Sequence, residues 1–219
     1  MNATSRKPKY APWVTLLAED REHFRASAAP AYWRLAPHYV GQVTESCCAV
    51  ASATMIANAL RGGRAGERML TQHEVIDAAG DPGLKASTMT DGGGGATRGQ
   101  LARLLATVLP ALGAGTPAIR AVPVTAADGA LVEAALEDVE AGRSLMIAHF
   151  LMESVMGEGD YGHFSPVGAW DARRRRALVL DVYRVSYEPY WVPFDRLLAG
   201  MATRDQVEGK PRGFVMVTP

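Results

Sequence analysis

The run from Cys48 to Leu60, CAVASATMIANAL, constrains the fold more than any other part of this 219-residue chain. Its small and apolar residues suit a helix, and Ala49, Val50, Ala51, Ala53, Met55, Ile56, Ala59 and Leu60 leave little polar surface on any side. A helix that is apolar all round belongs inside a protein. The run falls well short of the roughly 20 apolar residues needed to cross a bilayer. The remaining elements must therefore wrap around it, and Gly62 and Gly63 supply its stop signal.

A second helix is expected after Thr71, a good N-cap, through Val75, Ile76 and Ala79. Residues 80–99, GDPGLKASTMTDGGGGATRG, read as a long loop, and QLARLLATVL beyond them has helical spacing. After Pro110 the pattern turns to strands, at 118–124, 144–150, 163–170, 177–183 and 212–218, with one amphipathic helix at 130–142. The intervening DARRRR reads as a turn with solvated charges. Helices early and strands late predict an α+β fold. One core suffices for a chain of this size, so a single domain is expected over 1–219, with a helical lobe to about 115 and a sheet lobe from about 116.

Equal numbers of basic and acidic residues, 23 of each, give no net field to draw in nucleic acid or an anionic membrane. The apolar stretch near the start is broken by Pro12, Glu19, Asp20 and Arg21, unlike a signal peptide, so a cytoplasmic location is expected. In that reducing setting Cys47 and Cys48, the only cysteines, are expected as thiols. A bridge between neighbours would be strained, and no second pair of ligands completes a zinc site. One thiol is thus a candidate nucleophile, set against two inert buried cysteines.

Cys48 opens the apolar helix, where free N–H groups and the macrodipole favour a thiolate. His163, at the head of a strand after GEGDYG, is the best candidate base. Asp181 sits in the apolar ALVLDVY and needs a partner such as an imidazole. Gln42, six residues before Cys48, can donate its amide to an oxyanion. Taken singly, each also fits a structural residue; their joint occurrence favours catalysis. The run GGGG at 92–95 has no GK[ST] after it for phosphate binding and reads as a mobile loop at the edge of a groove.

At this point the residues resemble the phytochelatin synthase family, papain-like cysteine transpeptidases that act on glutathione, from about Trp33 onward. Gln42, Cys48, Ala51, Ser52, Asn58, Ala59 and Leu60 fall in register with the family's Q-x5-C-G-x-A-S and N-A-L pattern. GHFSPVGAW and LVLDVYRVSYEPYWVPFDRLLAGM match later family stretches, with the same 18-residue separation of His163 and Asp181. The resemblance implies a papain-like fold with Cys48 as nucleophile, His163 as acid and base, Asp181 as the orienting group and Gln42 as oxyanion donor. It also implies that Asp205 and Arg212 hold the γ-glutamyl end of glutathione or a related γ-glutamyl thiol peptide. No cofactor is implied for acylation, and a heavy-metal ion would enter with the acceptor thiol.

Cys47 stands where relatives carry an aromatic residue, Ala49 replaces the family's glycine, and Val43–Ser46 replace an S-E-P-A-like stretch. These departures fall along the substrate groove. The expected reaction is cleavage of the Cys–Gly amide of glutathione through a γ-glutamylcysteinyl thioester, with hydrolysis at least as fast as transfer. A homodimer is an admissible assembly. Two alternatives stay open: an amidase or acyltransferase for another γ-glutamyl or thiol-containing substrate, and a metal or redox sensor built on Cys47 and Cys48.

Overall fold

Seven strands join into one antiparallel sheet in the computed structural model, which describes residues 10–62 and 68–219. In chain order the elements are β1 (Thr15–Leu16), α1 (His23–Ala26), α2 (Pro30–Leu35), a 3-10 turn (Ala36–His38), α3 (Cys48–Arg61), α4 (Gln72–Ala78), α5 (Pro82–Thr88) and α6 (Arg98–Ala111). There follow β2 (Ala118–Val122), α7 (Gly129–Glu140), β3 (Leu145–Leu151), α8 (Met152–Met156), β4 (Gly162–Asp171), β5 (Arg176–Val179), β6 (Tyr190–Pro193), α9 (Phe194–Ala202) and β7 (Gly213–Thr218). The sheet order is β1-β6-β5-β4-β3-β7-β2, and each neighbouring pair is antiparallel. The fold is α+β, as the distribution of patterns along the chain predicts.

Helix α3 is the buried centre: twelve of its fourteen residues, Cys48 through Ala59, are shielded from solvent. Its alanines let β4, α4 and α6 approach closely. The polar residues on it are satisfied within the protein, as burial requires. The Thr54 hydroxyl donates to the Val50 carbonyl, and Asn58 exchanges two hydrogen bonds with the backbone of Leu70, at 3.0 and 2.8 Å. Gly62, at φ +63°, ends the helix, while Gly63 lies outside the described residues.

Three expectations need correction. Residues 80–99 are not loop throughout: α5 occupies 82–88, started by Asp81, whose carboxylate accepts from the Leu84 N–H, and by Pro82 in its first turn. The expected strand 177–183 stops at Val179, because β4 carries a bulge between Val167 and Ala169. The Leu180 N–H instead reaches the Pro166 carbonyl, so Asp181 lies just past the strand. The charges of DARRRR are not simply solvated either. Arg176 binds Asp171 and Asp20 and stacks 4.5 Å above Trp191, and Arg174 pairs with Glu22. The partners at 20–22 come from the far end of the chain, out of reach of local pattern. Among the described residues, no helix is long and apolar enough to cross a membrane.

Candidate active site

The first turn of α3 faces a cleft of about 480 Å³ that Gln42, Cys48, His163, Asp205 and Arg212 all line. Cys48 is the first residue of the helix and keeps 8% exposure, enough to meet a ligand. A hydrogen bond links its side chain to the His163 imidazole. The other side of that ring is occupied: Nε2 lies 2.9 Å from Asp181 Oδ1 and 3.0 Å from the Ser165 hydroxyl. Nδ1 is therefore the nitrogen that faces Cys48.

Asp181 is fully buried, and its carboxylate is held on all sides. Oδ1 also accepts the Tyr183 N–H at 2.8 Å, and Oδ2 accepts the Tyr190 hydroxyl at 3.0 Å. Burial and the neighbouring Asp181 push the Tyr190 phenol well above its ordinary range, so it stays a donor. For His163, burial works against the charged ring. The Asp181 carboxylate outweighs it, with help from Cys48, and the imidazole is raised to about 10.

The bulge in β4 makes this meeting possible. By releasing the chain from its ladder after Val179, it swings Asp181 back under His163 in the adjacent strand. The Gly168 position is tight, since a Cβ there would lie 3.2 Å from Leu180 Cγ. Sequence spacing alone could pair the two residues but not supply this detour.

Gln42 sits beside Cys48 in the cleft, its Nε2 donating to the Glu45 carbonyl at 3.0 Å. A primary amide carries two N–H donors, and this bond uses one of them. The loop around it is tied down by Cys47. That thiol is wholly buried and turned away from the cleft; its Sγ accepts the Val43 and Thr44 N–H groups at 3.1 and 3.2 Å and contacts Gln72 Oε1 at 3.2 Å. The two adjacent cysteines thus have separate environments, both as free thiols.

Asp205 and Arg212, which the sequence leaves in a polar loop, are 7% and 6% exposed. A turn closed by the Arg204–Pro211 bridge brings both to the cleft, with Asp205 near enough for its charge to act on Arg212. Asp205 Oδ1 accepts the Val207 and Glu208 N–H groups, both at 2.8 Å, while Arg212 Nη1 donates to the Thr203 hydroxyl and the Arg204 carbonyl. Arg98 binds the backbone carbonyls of Pro211 and Arg212 from behind. Burial lowers the Arg212 guanidinium from its usual value, with Asp205 and Asp160 opposing.

The glycine run borders the cleft as expected, through Gly92–Gly95. Gly93 is obligatory in shape: a Cβ would lie 2.2 Å from the Ser87 carbonyl oxygen. Its own carbonyl accepts the Ser46 hydroxyl at 2.7 Å, which joins this wall to the loop before Cys48. Ser165, His149 and Tyr190 escape the sequence reading. Ser165 had a usable signal, because two positions along a strand share a face. Tyr190 had none, since only the tertiary fold carries it to Asp181. Among the described residues no group of three or more His, Cys, Asp or Glu side chains could hold a metal ion.

Comparison with known proteins places part of the chain beside a known family. Residues 118–214 match the family model for phytochelatin synthase, a span that holds His163, Asp181, Asp205 and Arg212 but not Cys48. Glutathione gamma-glutamylcysteinyltransferase 1 of Arabidopsis thaliana is 49% identical over 57 residues, which is 26% of this chain and 12% of the relative. The Schizosaccharomyces pombe glutathione gamma-glutamylcysteinyltransferase is 40% identical over 65 residues, 30% of this chain and 16% of the relative. The matched segments thus span only a small part of those relatives. A crystal structure titled as a C39-like peptidase from Bacillus anthracis superposes with a TM-score of 0.53 at 12% identity, covering 83% of this chain and 94% of that one. The chain is thus similar to the phytochelatin synthase family over residues 118–214, on a papain-like α+β frame.

Proposed function

We propose that this chain is a cysteine transpeptidase and hydrolase of the phytochelatin synthase kind, acting on the Cys–Gly amide of glutathione. The observation that carries the reading is the hydrogen-bonded line Cys48–His163–Asp181 in a cleft that buried Asp205 and Arg212 also line. The Cys48 thiolate attacks the carbonyl carbon, and the backbone N–H of Cys48 and the Gln42 amide receive the oxyanion. The C–N bond then breaks as His163 gives its proton to the departing glycine amine. A γ-glutamylcysteinyl thioester is left on Cys48. Water, deprotonated by His163, releases γ-glutamylcysteine; a second glutathione amine would give the longer peptide instead.

Asp205 and Arg212 suit the ammonium and carboxylate of the γ-glutamyl end, through charge-assisted hydrogen bonds. A soft metal ion belongs to this scheme as part of the acceptor, bound to its thiol. Hydrolysis runs at least as fast as transfer, because transfer needs a second peptide held in line with the thioester while water needs no such site. Incubation with glutathione, with and without a soft metal ion, followed by mass analysis of the products, tests this. Glycine and γ-glutamylcysteine are expected in amounts at least equal to the oligomer; dominant oligomer would contradict the hydrolytic preference. Glu45 and Ser46, which depart from the family pattern, line the same cleft, and this favours a second reading in which another γ-glutamyl amide is the preferred substrate. Turnover of such an amide with glutathione inert would select it.

A further inference from the structure

We infer that His149 is a specificity-determining residue of the donor site, binding with Asp205 and Arg212 the end of the substrate that bears an ammonium and a carboxylate on one carbon. The inference rests on the assignment of that end to Asp205 and Arg212. His149 lies in β3 directly across from Phe164 of β4, and its ring stacks on the phenyl at 3.9 Å with only 16° between planes. The stack fixes the plane of the imidazole. In that plane Nε2 stands 3.5 Å from Asp205 Oδ2.

The same nitrogen and Arg212 Nε each come within 3.0 Å of the point where a Cβ of Gly162 would stand. Glycine at 162 therefore keeps open a small space walled by His149 and Arg212, and all three residues line the cleft that contains Cys48. Two polar atoms of this wall, His149 Nδ1 and Arg212 Nε, are buried with no hydrogen-bond partner. Buried polar groups are rarely left so, and a polar group of a ligand in the cleft would satisfy both. His149 itself is only 2% exposed.

Charge explains why an imidazole suits this place. Burial first, and then the positive fields of Arg212, Arg98 and His163, hold His149 well below its usual range. It is neutral at working pH, with one N–H and one lone pair. A cation here would neutralise Asp205 and remove the partner of the substrate ammonium. A neutral ring keeps that charge free: with its N–H turned to Asp205 from Nε2, the lone pair on the unpartnered Nδ1 is left to accept from the substrate ammonium.

Binding to the full chain carrying Cys48→Ala, measured calorimetrically without turnover, tests the assignment. The two probes are glutathione and its des-amino analogue glutaryl-cysteinylglycine, and the variants are His149→Phe, His149→Asn and Asp205→Asn. His149→Phe keeps the stack on Phe164 and is expected to weaken glutathione roughly tenfold, the scale of one good hydrogen bond, with little change for the analogue. His149→Asn, which retains a donor and an acceptor, is expected to recover most of the preference. An unchanged preference in both His149 variants, with Asp205→Asn abolishing it, would overturn the role of His149 alone. An Asp205→Asn protein that binds both probes like its parent, or a parent that binds no glutathione, would overturn the assignment beneath it as well.

Discussion

At His163 two forces oppose each other, and the outcome decides what the ring can do. Burial disfavours the imidazolium, the Asp181 carboxylate favours it, and the carboxylate prevails. Asp181→Asn reverses that balance. With only Cys48 left to oppose burial, the pKa of His163 falls and less imidazolium is available for the leaving amine. The expected loss in kcat is about 10²-fold or more, the usual scale of general acid catalysis. The alkaline limb of the pH profile of kcat should also move to lower pH; a full profile that keeps its shape and height would contradict the role given to Asp181. At this scale Cys48, His163 and Asp181 were legible, since each is a reactive or charged residue in an apolar context. His149 was not, because a histidine inside SLMIAHF has no local mark that separates a cleft wall from a packed core.

Among the elements, the loop from Met89 to Thr97 matters most to the site, because four glycines build one wall of the cleft. Gly93→Ala would force its Cβ to within 2.2 Å of the Ser87 carbonyl oxygen unless the loop moves. Movement breaks the Ser46–Gly93 hydrogen bond and loosens the segment leading to Cys48. The expected result is a raised KM for glutathione with modest loss of thermal stability; an unchanged KM would show that this wall does not touch the substrate. Helices α3 and α6 could be read from composition and spacing, and α4 from the Thr71 cap; the capping box at Thr97, inside the expected loop, was passed over. Helix α5 was hidden because Pro, Gly, Ser and Thr make up four of its seven residues, although Asp81 and Pro82 carry its start signal. The end of β5 was hidden by the bulge at Gly168, a feature of pairing that no single strand displays.

For the whole molecule, the raised His163 pKa ties stability to pH. A group whose folded pKa exceeds its unfolded value stabilises the fold fully below the unfolded pKa, about 6.5 for histidine, and loses that contribution as pH rises through the folded value. For His163 the window runs from about 6.5 up to about 10. Urea denaturation of wild type and His163→Gln should therefore differ most near pH 6 and converge towards pH 10, and a difference that grows with pH would contradict the pairing. The α+β class was legible from the order of patterns along the chain. The contacts that join Asp20 and Glu22 to Arg174 and Arg176 were not, because more than 150 residues separate the partners. Sequence pattern reports neighbours along the chain, and the site is made by neighbours across it.

Intact mass of the protein after brief exposure to glutathione, in the presence of a reductant that removes mixed disulfides, probes the proposed chemistry most directly. A γ-glutamylcysteinyl adduct on Cys48 that survives acid and is absent from Cys48→Ala is the predicted result. No adduct, or one carried by Cys47 instead, would contradict it.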